Sequence, residues 1–199
     1  MQTDIQMVTA RNRPPGKIRI VSGKWRGRKI PVAGVKGLRP TPARARETLF
    51  NWLQGRLAGA SCLDLFAGTG ILGLEALSRG AGSVAAVEQN PQLVQALRGI
   101  ASELKADNFE IICADGMNWI RHCGRQFDLV FLDPPFSTDM ASRARDALIE
   151  CQVLKPGALV YVESEQEIRT NNPGFEILKQ SSAGRVQYML LALKANDGL

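Results

Sequence analysis

Asp133-Pro134-Pro135-Phe136 follows directly on the apolar run Phe127-Asp128-Leu129-Val130-Phe131-Leu132. Proline has a fixed φ and no N–H, so two in succession hold a turn open and leave backbone carbonyls free to accept. A carboxylate, free carbonyls and the flat face of Phe136 together suit one task, gripping a planar ring through its exocyclic amino group. The plain alternative for Pro134 and Pro135 is a stiff stop after a buried strand.

A second chemical element lies far upstream, in Cys62-Leu63-Asp64-Leu65-Phe66-Ala67-Gly68-Thr69-Gly70. Here a short apolar strand runs into a Gly-x-Gly turn, and Ile71 to Leu77 continue with helical spacing. Gly68 and Gly70 let a ligand approach the backbone, and a helix amino end favours oxygen-rich groups. With Gly73 the string reads G-x-G-x-x-G, which also fits a nicotinamide dinucleotide. Two features favour S-adenosylmethionine instead. Asp64 sits inside the strand end, four residues before Gly68, and Asp133-Pro134-Pro135-Phe136 has no role in hydride transfer.

Two further acids close predicted strands. Glu88 ends Ser83-Val84-Ala85-Ala86-Val87 and could accept from ribose hydroxyls. Asp115 follows Phe109 to Cys113 and could accept from an adenine amino group, with Met117 as a soft contact to the ring. It could equally cap the helix through Trp119 and Ile120. Glycine turn, ribose acid, adenine acid and Asp133 each follow a successive strand, as a cleft at strand carboxyl ends requires.

The elements that must position these groups are those of a doubly wound sheet. Five βα-like units run to a helix over 139–151, a turn at Leu154-Lys155-Pro156-Gly157 and a strand over 158–163. A hairpin of 175–179 and 186–193 around Ser181-Ser182-Ala183-Gly184 adds an antiparallel edge. Residues 1–42 read as a basic extension with a β-hairpin, and 43–199 as the catalytic domain.

The 199 residues suffice for one well-buried α/β domain. No apolar run of about 18 residues occurs, so no membrane span is expected. Four widely spaced cysteines and a lone His122 imply no metal and suit a reducing cytoplasm. The first residues carry no signal-peptide core. A monomer is the expectation.

Charge is strongly uneven. Residues 1–59 hold 13 Lys and Arg against 2 acids, while 60–199 hold 12 against 17, giving the overall +6. A basic amino-terminal third points to a polyanion partner. Within it, 18–21 and 28–32 read as strands flanking Ser22-Gly23-Lys24-Trp25-Arg26-Gly27, a hairpin with a basic tip. Its cations could neutralise phosphates, and Trp25 could stack on an unpaired base or pack beneath the hairpin. Arg39-Pro40-Thr41-Pro42 is a stiff break with Thr41 as a possible cap. Ala43 to Leu57 then reads as an amphipathic helix, with Phe50 and Trp52 in the core. Arg19, Lys24, Trp25, Arg26, Arg28, Arg39, Arg44 and Arg46 are the candidate contacts to that polyanion.

Over nearly its whole length the sequence resembles the RsmD-type 16S ribosomal RNA guanine-N2 methyltransferases. The resemblance rests on 22–29, on Leu38-Arg39-Pro40-Thr41 with 44 and 46–52, on 64–70, on Val87-Glu88 and on 133–136. Ser22 departs from it, standing where a second glycine is expected. The resemblance implies a seven-stranded class I S-adenosylmethionine-dependent fold and a guanine in 16S ribosomal RNA, on 30S subunits or their precursors. It places cofactor contacts on Asp64, Phe66, Gly68, Gly70, Glu88, Asp115 and Met117, and the catalytic motif on Asp133, Pro134, Pro135 and Phe136. A DNA adenine-N6 methylase shares that last motif, and a non-catalytic RNA-binding assembly factor could share the fold.

Overall fold

The computed structural model describes residues 16–32, 43–135, 139–165 and 173–194. Along the chain these form β1 (Lys17–Arg19), β2 (Lys29–Pro31), α1 (Ala43–Trp52), β3 (Ser61–Asp64), α2 (Ile71–Ser78), β4 (Ser83–Glu88) and α3 (Pro91–Leu104). There follow β5 (Phe109–Cys113), α4 (Gly116–His122), β6 (Phe127–Leu132), α5 (Met140–Glu150), β7 (Leu154–Ser164), β8 (Phe175–Ala183) and β9 (Val186–Leu193). The stiff break at 39–42 lies outside the described residues, as does Phe136.

Seven strands form one sheet in the order β5-β4-β3-β6-β7-β9-β8. β3 to β7 are parallel and β9 runs against them. The two parallel strands that start the cleft, β3 and β6, are apolar and buried on both faces, as helix-covered strands must be. On one face Phe50, Leu74, Leu97 and the hairpin's Ile20 and Trp25 join a single core. On the other, Ile120, Ala144 and Leu148 cover Val130 and Val160.

Local chemistry explains the helices. Asn90 accepts from the Gln92 N–H at 2.9 Å with Pro91 in the first turn, so α3 starts there. Leu93, Val94, Leu97, Ile100 and Leu104 then form its buried stripe. α2 is buried on all sides, Glu75 included. A helix of that kind needs cover opposite the sheet, and the β1–β2 hairpin supplies it.

Three expectations need correction. α1 ends at Trp52, not Leu57. β7 begins at Leu154, and Lys155-Pro156-Gly157 is a bulge within it rather than a turn before it. There β7 advances from 154 to 159 while β6 advances from 127 to 129, because Pro156 has no N–H to pair and Gly157 has a φ of 71°. β8 continues to Ala183, leaving only Gly184 and Arg185 in the turn. As expected, the terminal hairpin closes the sheet with an antiparallel edge, β9 inserting between β7 and β8.

Candidate active site and nucleic-acid interface

The cleft forms where β3, β4, β5 and β6 end. Asp64 pairs in register with Phe131, and the Leu65 N–H donates to the Phe131 carbonyl at 3.2 Å. Asp133 lies two residues beyond Phe131, just past the end of β6, so the glycine turn and the Asp133 turn leave the same rim of the sheet. Gly68 (φ 52°) and Gly70 (φ 68°) adopt the left-handed conformation that glycine allows. A Cβ on Gly70 would lie 2.4 Å from Leu97 Cδ2, so α3 closes over this turn.

Glu88 ties the rim together. One carboxylate oxygen accepts from the Gly68 N–H at 2.8 Å and the other from the Asn90 N–H at 2.7 Å. Its backbone carbonyl accepts from the Ala114 N–H at 3.1 Å, bringing the end of β5 alongside. Next in line, Asp115 caps α4, accepting from the Asn118 N–H at 2.8 Å. The capping alternative thus holds for one of its oxygens. Phe66 and Met117 are half-buried and pack against one core cluster, and a Cβ on Gly116 would lie 3.2 Å from the Phe66 ring.

Asp64 is buried beneath the turn and accepts from the Gly73 N–H at 3.1 Å. Burial first, then the charges of Asp133 and Glu88, push its pKa up to about 7 against the pull of that hydrogen bond. Asp133 is half-buried, Pro134 buried and Pro135 exposed. Two buried groups on β7 escaped the sequence reading. The Tyr161 hydroxyl donates to Glu163 Oε2 at 3.0 Å, and burial and the Asp133 charge push Glu163 up to about 8. The signal was present, because Glu163 closes an apolar strand just as Asp64 and Glu88 do.

The atoms on this rim suit S-adenosylmethionine. Each Glu88 oxygen spends one lone pair on a backbone N–H and retains capacity for ribose hydroxyls. Phe66 and Met117 offer an apolar wall, and the acids Glu88 and Asp133 make a negative rim suited to a sulfonium cation.

The basic hairpin docks elsewhere. β1 and β2 pair antiparallel, and their tip sits on the last turn of α2. There the Trp25 N–H donates to Ser78 Oγ at 2.9 Å, Ser78 Oγ–H to the Ser22 carbonyl at 2.6 Å, and the Lys24 N–H to the Ser78 carbonyl at 2.7 Å. Gly23 has a φ of 81°, and a Cβ there would lie 1.7 Å from the Ser78 carbonyl oxygen. Only glycine fits. The tip therefore lies at the opposite end of α2 from the glycine turn, about 12 Å along the helix.

Two candidate RNA contacts are corrected by this docking. Trp25 is buried in the core, with the Lys24 ammonium 5.4 Å from its ring centroid, so no ring face is left for a base. Arg46 is buried too, its Nη1 3.4 Å from Glu75 and 3.2 Å from the Arg19 carbonyl. Burial lowers its pKa and the Glu75 charge opposes that. Arg19, Lys24, Arg26, Arg28 and Arg44 are exposed, and Arg39 lies outside the described residues.

Comparison with known proteins agrees with this geometry. A family model described as conserved hypothetical protein 95 matches residues 18–192. Ribosomal RNA small subunit methyltransferase D of Haemophilus influenzae is 42% identical over 180 residues, covering 88% of this chain and 93% of the relative. Its namesake in Escherichia coli is 41% identical over 182 residues, covering 90% and 92%. The chain belongs to the RsmD-type methyltransferase family. The solved structure of yhhF from Escherichia coli superposes with a TM-score of 0.84 at 41% identity, covering 91% of this chain and all of that one. As an RsmD-type enzyme it has the class I fold and takes S-adenosylmethionine as methyl donor. Among the described residues no helix is long and apolar enough to cross a membrane.

Proposed function

We propose that this protein methylates the N2 amino group of a guanine in 16S ribosomal RNA, acting as a monomer on 30S subunits or their precursors. The observation that carries this reading is the placement of Asp133-Pro134-Pro135 on the same rim as the Gly68–Gly70 turn, one strand away. S-adenosylmethionine, when bound, supplies an electrophilic methyl group on a positively charged sulfur. The Gly68–Gly70 backbone, Glu88, Asp115, Phe66 and Met117 would hold it.

A guanine N2 is a poor nucleophile because its lone pair is delocalised into the ring. The Asp133 carboxylate and the Pro134 carbonyl accept its two N–H bonds and draw the nitrogen toward a pyramidal geometry with an available lone pair. Phe136 stacks on the ring and sets its plane. Asp133 need not be a strong base, because the nitrogen's proton becomes far more acidic once the methyl is attached. Positioning then supplies much of the acceleration. Pulling the base from its stack or loop costs a few kcal/mol, which attraction between the basic hairpin and phosphates offsets.

The family relatives named as small-subunit ribosomal RNA methyltransferases support the RNA class, and the exposed cations of the hairpin support a polyanion. Labelled methyl transfer to 30S subunits, free 16S ribosomal RNA and duplex DNA tests the reading, with mapping of the modified base. Incorporation at a guanine N2, best on the particle, is expected. Transfer to adenine in duplex DNA, or none to any substrate, would sink it.

A further inference from the structure

Behind Asp133 lies a buried pair that the proposed chemistry leaves unused. The β6–β7 register pairs Phe131 with Tyr161 and Leu132 with Val162, so the next step brings Asp133 beside Glu163. Strand alternation puts Phe131 and Asp133 on one face of the sheet, and Tyr161 and Glu163 on that same face. Glu163 is only 1% exposed and its neighbour Tyr161 is fully buried. On the other flank Glu163 is in register with Tyr188 of β9, whose ring packs 5.7 Å from Trp52 of α1. The titratable groups facing Glu163 are thus Asp133, Tyr161 and Tyr188, and among the described residues no cation is ion-paired with it.

A carboxyl group buried beside a second carboxylate, with no cation to compensate, favours its neutral form. The upward shift of Glu163 to about 8 agrees with that geometry. Protonated, it is a hydrogen-bond donor, and its nearest acidic neighbour is the carboxylate that must aim at the amino group. Tyr161 donates to Glu163 and so fixes the carboxyl plane, while burial holds its own hydroxyl proton far above the neutral range. We propose that Glu163, held by Tyr161, is a positioning residue that orients the Asp133 carboxylate toward the incoming amino group by donating it a hydrogen bond. This rests on the reading of Asp133 as the amino-group acceptor.

The test compares the full-length wild type with Glu163→Ala, Glu163→Gln and Asp133→Ala. Labelled methyl transfer to 30S subunits is followed from pH 6 to 9.5, alongside calorimetric cofactor binding and urea unfolding. Glu163→Ala is expected to lower kcat about ten- to a hundredfold, as loss of an orienting hydrogen-bond partner does, with KM and cofactor affinity within about twofold. Glu163→Gln, whose amide can still donate, should recover most of that loss. It should also lack the decline expected of the wild type as pH rises through about 8, where ionised Glu163 turns from donor to repelling charge. Wild-type kcat in Glu163→Ala, or an unchanged alkaline decline in Glu163→Gln, overturns the proposal. If Glu163→Ala does not fold, the Glu163→Gln profile decides alone. Full activity in Asp133→Ala defeats the acceptor reading itself, whereas an inactive Asp133→Ala beside a normal Glu163→Ala defeats only this inference.

Discussion

Two buried acids on the same face of the sheet live in opposite surroundings. Glu75, on α2, accepts from the Val21 and Ser22 N–H groups at 2.9 and 3.0 Å and is paired with both Arg46 and Arg79. Glu163, on β7, has a tyrosine hydroxyl and a neighbouring carboxylate. The first is saturated with donors and cations and serves to lock the hairpin onto the core. The second is short of both and lies where chemistry is expected. A buried charge with full compensation is a fastening; one left undercompensated is a reactive resource.

The sharpest way to break that contrast is Glu75→Ala. It leaves the Arg46 guanidinium buried without its counter-charge, and unfolding in urea should show a loss of about 3–5 kcal/mol. A near-neutral result would mean the hairpin is held by packing alone. Asp133→Ala acts on the other region and should leave stability close to wild type. Its kcat should fall at least about a hundredfold, the size expected for one oriented polar group, while calorimetry finds cofactor affinity preserved. Gly23→Ala forces a Cβ against the Ser78 carbonyl and should undock the tip, costing about 1–3 kcal/mol by thermal or urea unfolding.

Acid–base behaviour separates the regions more gently. Asp64 and Glu163 have folded pKa values of about 7 and about 8, above their ordinary values of 3.8 and 4.5. Between those limits the folded state binds more protons than the unfolded one. Their contribution is therefore full below about pH 4 and is lost as pH rises through 7 and 8. Each adds a downward slope of at most about 1.4 kcal/mol per pH unit. Stability measured from pH 5 to 8 should fall less steeply in Glu163→Gln than in the wild type, and an identical slope would show that Glu163 ionises freely. The smallest effect belongs to the exposed cations. Arg26→Glu should weaken RNA binding evenly across sequences and lower the salt slope by about one for each phosphate the arginine neutralises.

Much of this was legible along the chain. β4, β5 and β6 announce themselves as short apolar runs that end beside an acid or a turn, and their bounds are the expected ones. That the glycine turn, Glu88, Asp115 and Asp133 share one rim follows from strand succession, but their order along it does not, because β6 pairs with β3 and so sets Asp133 beside the glycine turn. Arg46 misleads because its partner Glu75 is 29 residues away, and an arginine beside other cations looks like a solvated face. Trp25 sits in a basic string that hides its burial, which depends on Ser78 reaching the hairpin across 53 residues. The early start of β7 is masked by Pro156-Gly157, which says turn locally although the sheet tolerates it as a bulge.

The place of β9 has a consequence for how the molecule is completed. Among the described residues β8 is hydrogen-bonded only to β9, and β9 bridges it to β7. Residues 175–183 thus join the sheet through a strand that follows them in the chain. A chain stopped short of Val186 forfeits two strands for the loss of one, and bares the backbone flank of the segment that carries Tyr161 and Glu163. Completion of the sheet and cover for the cleft-bearing strand β7 therefore depend on the same final strand.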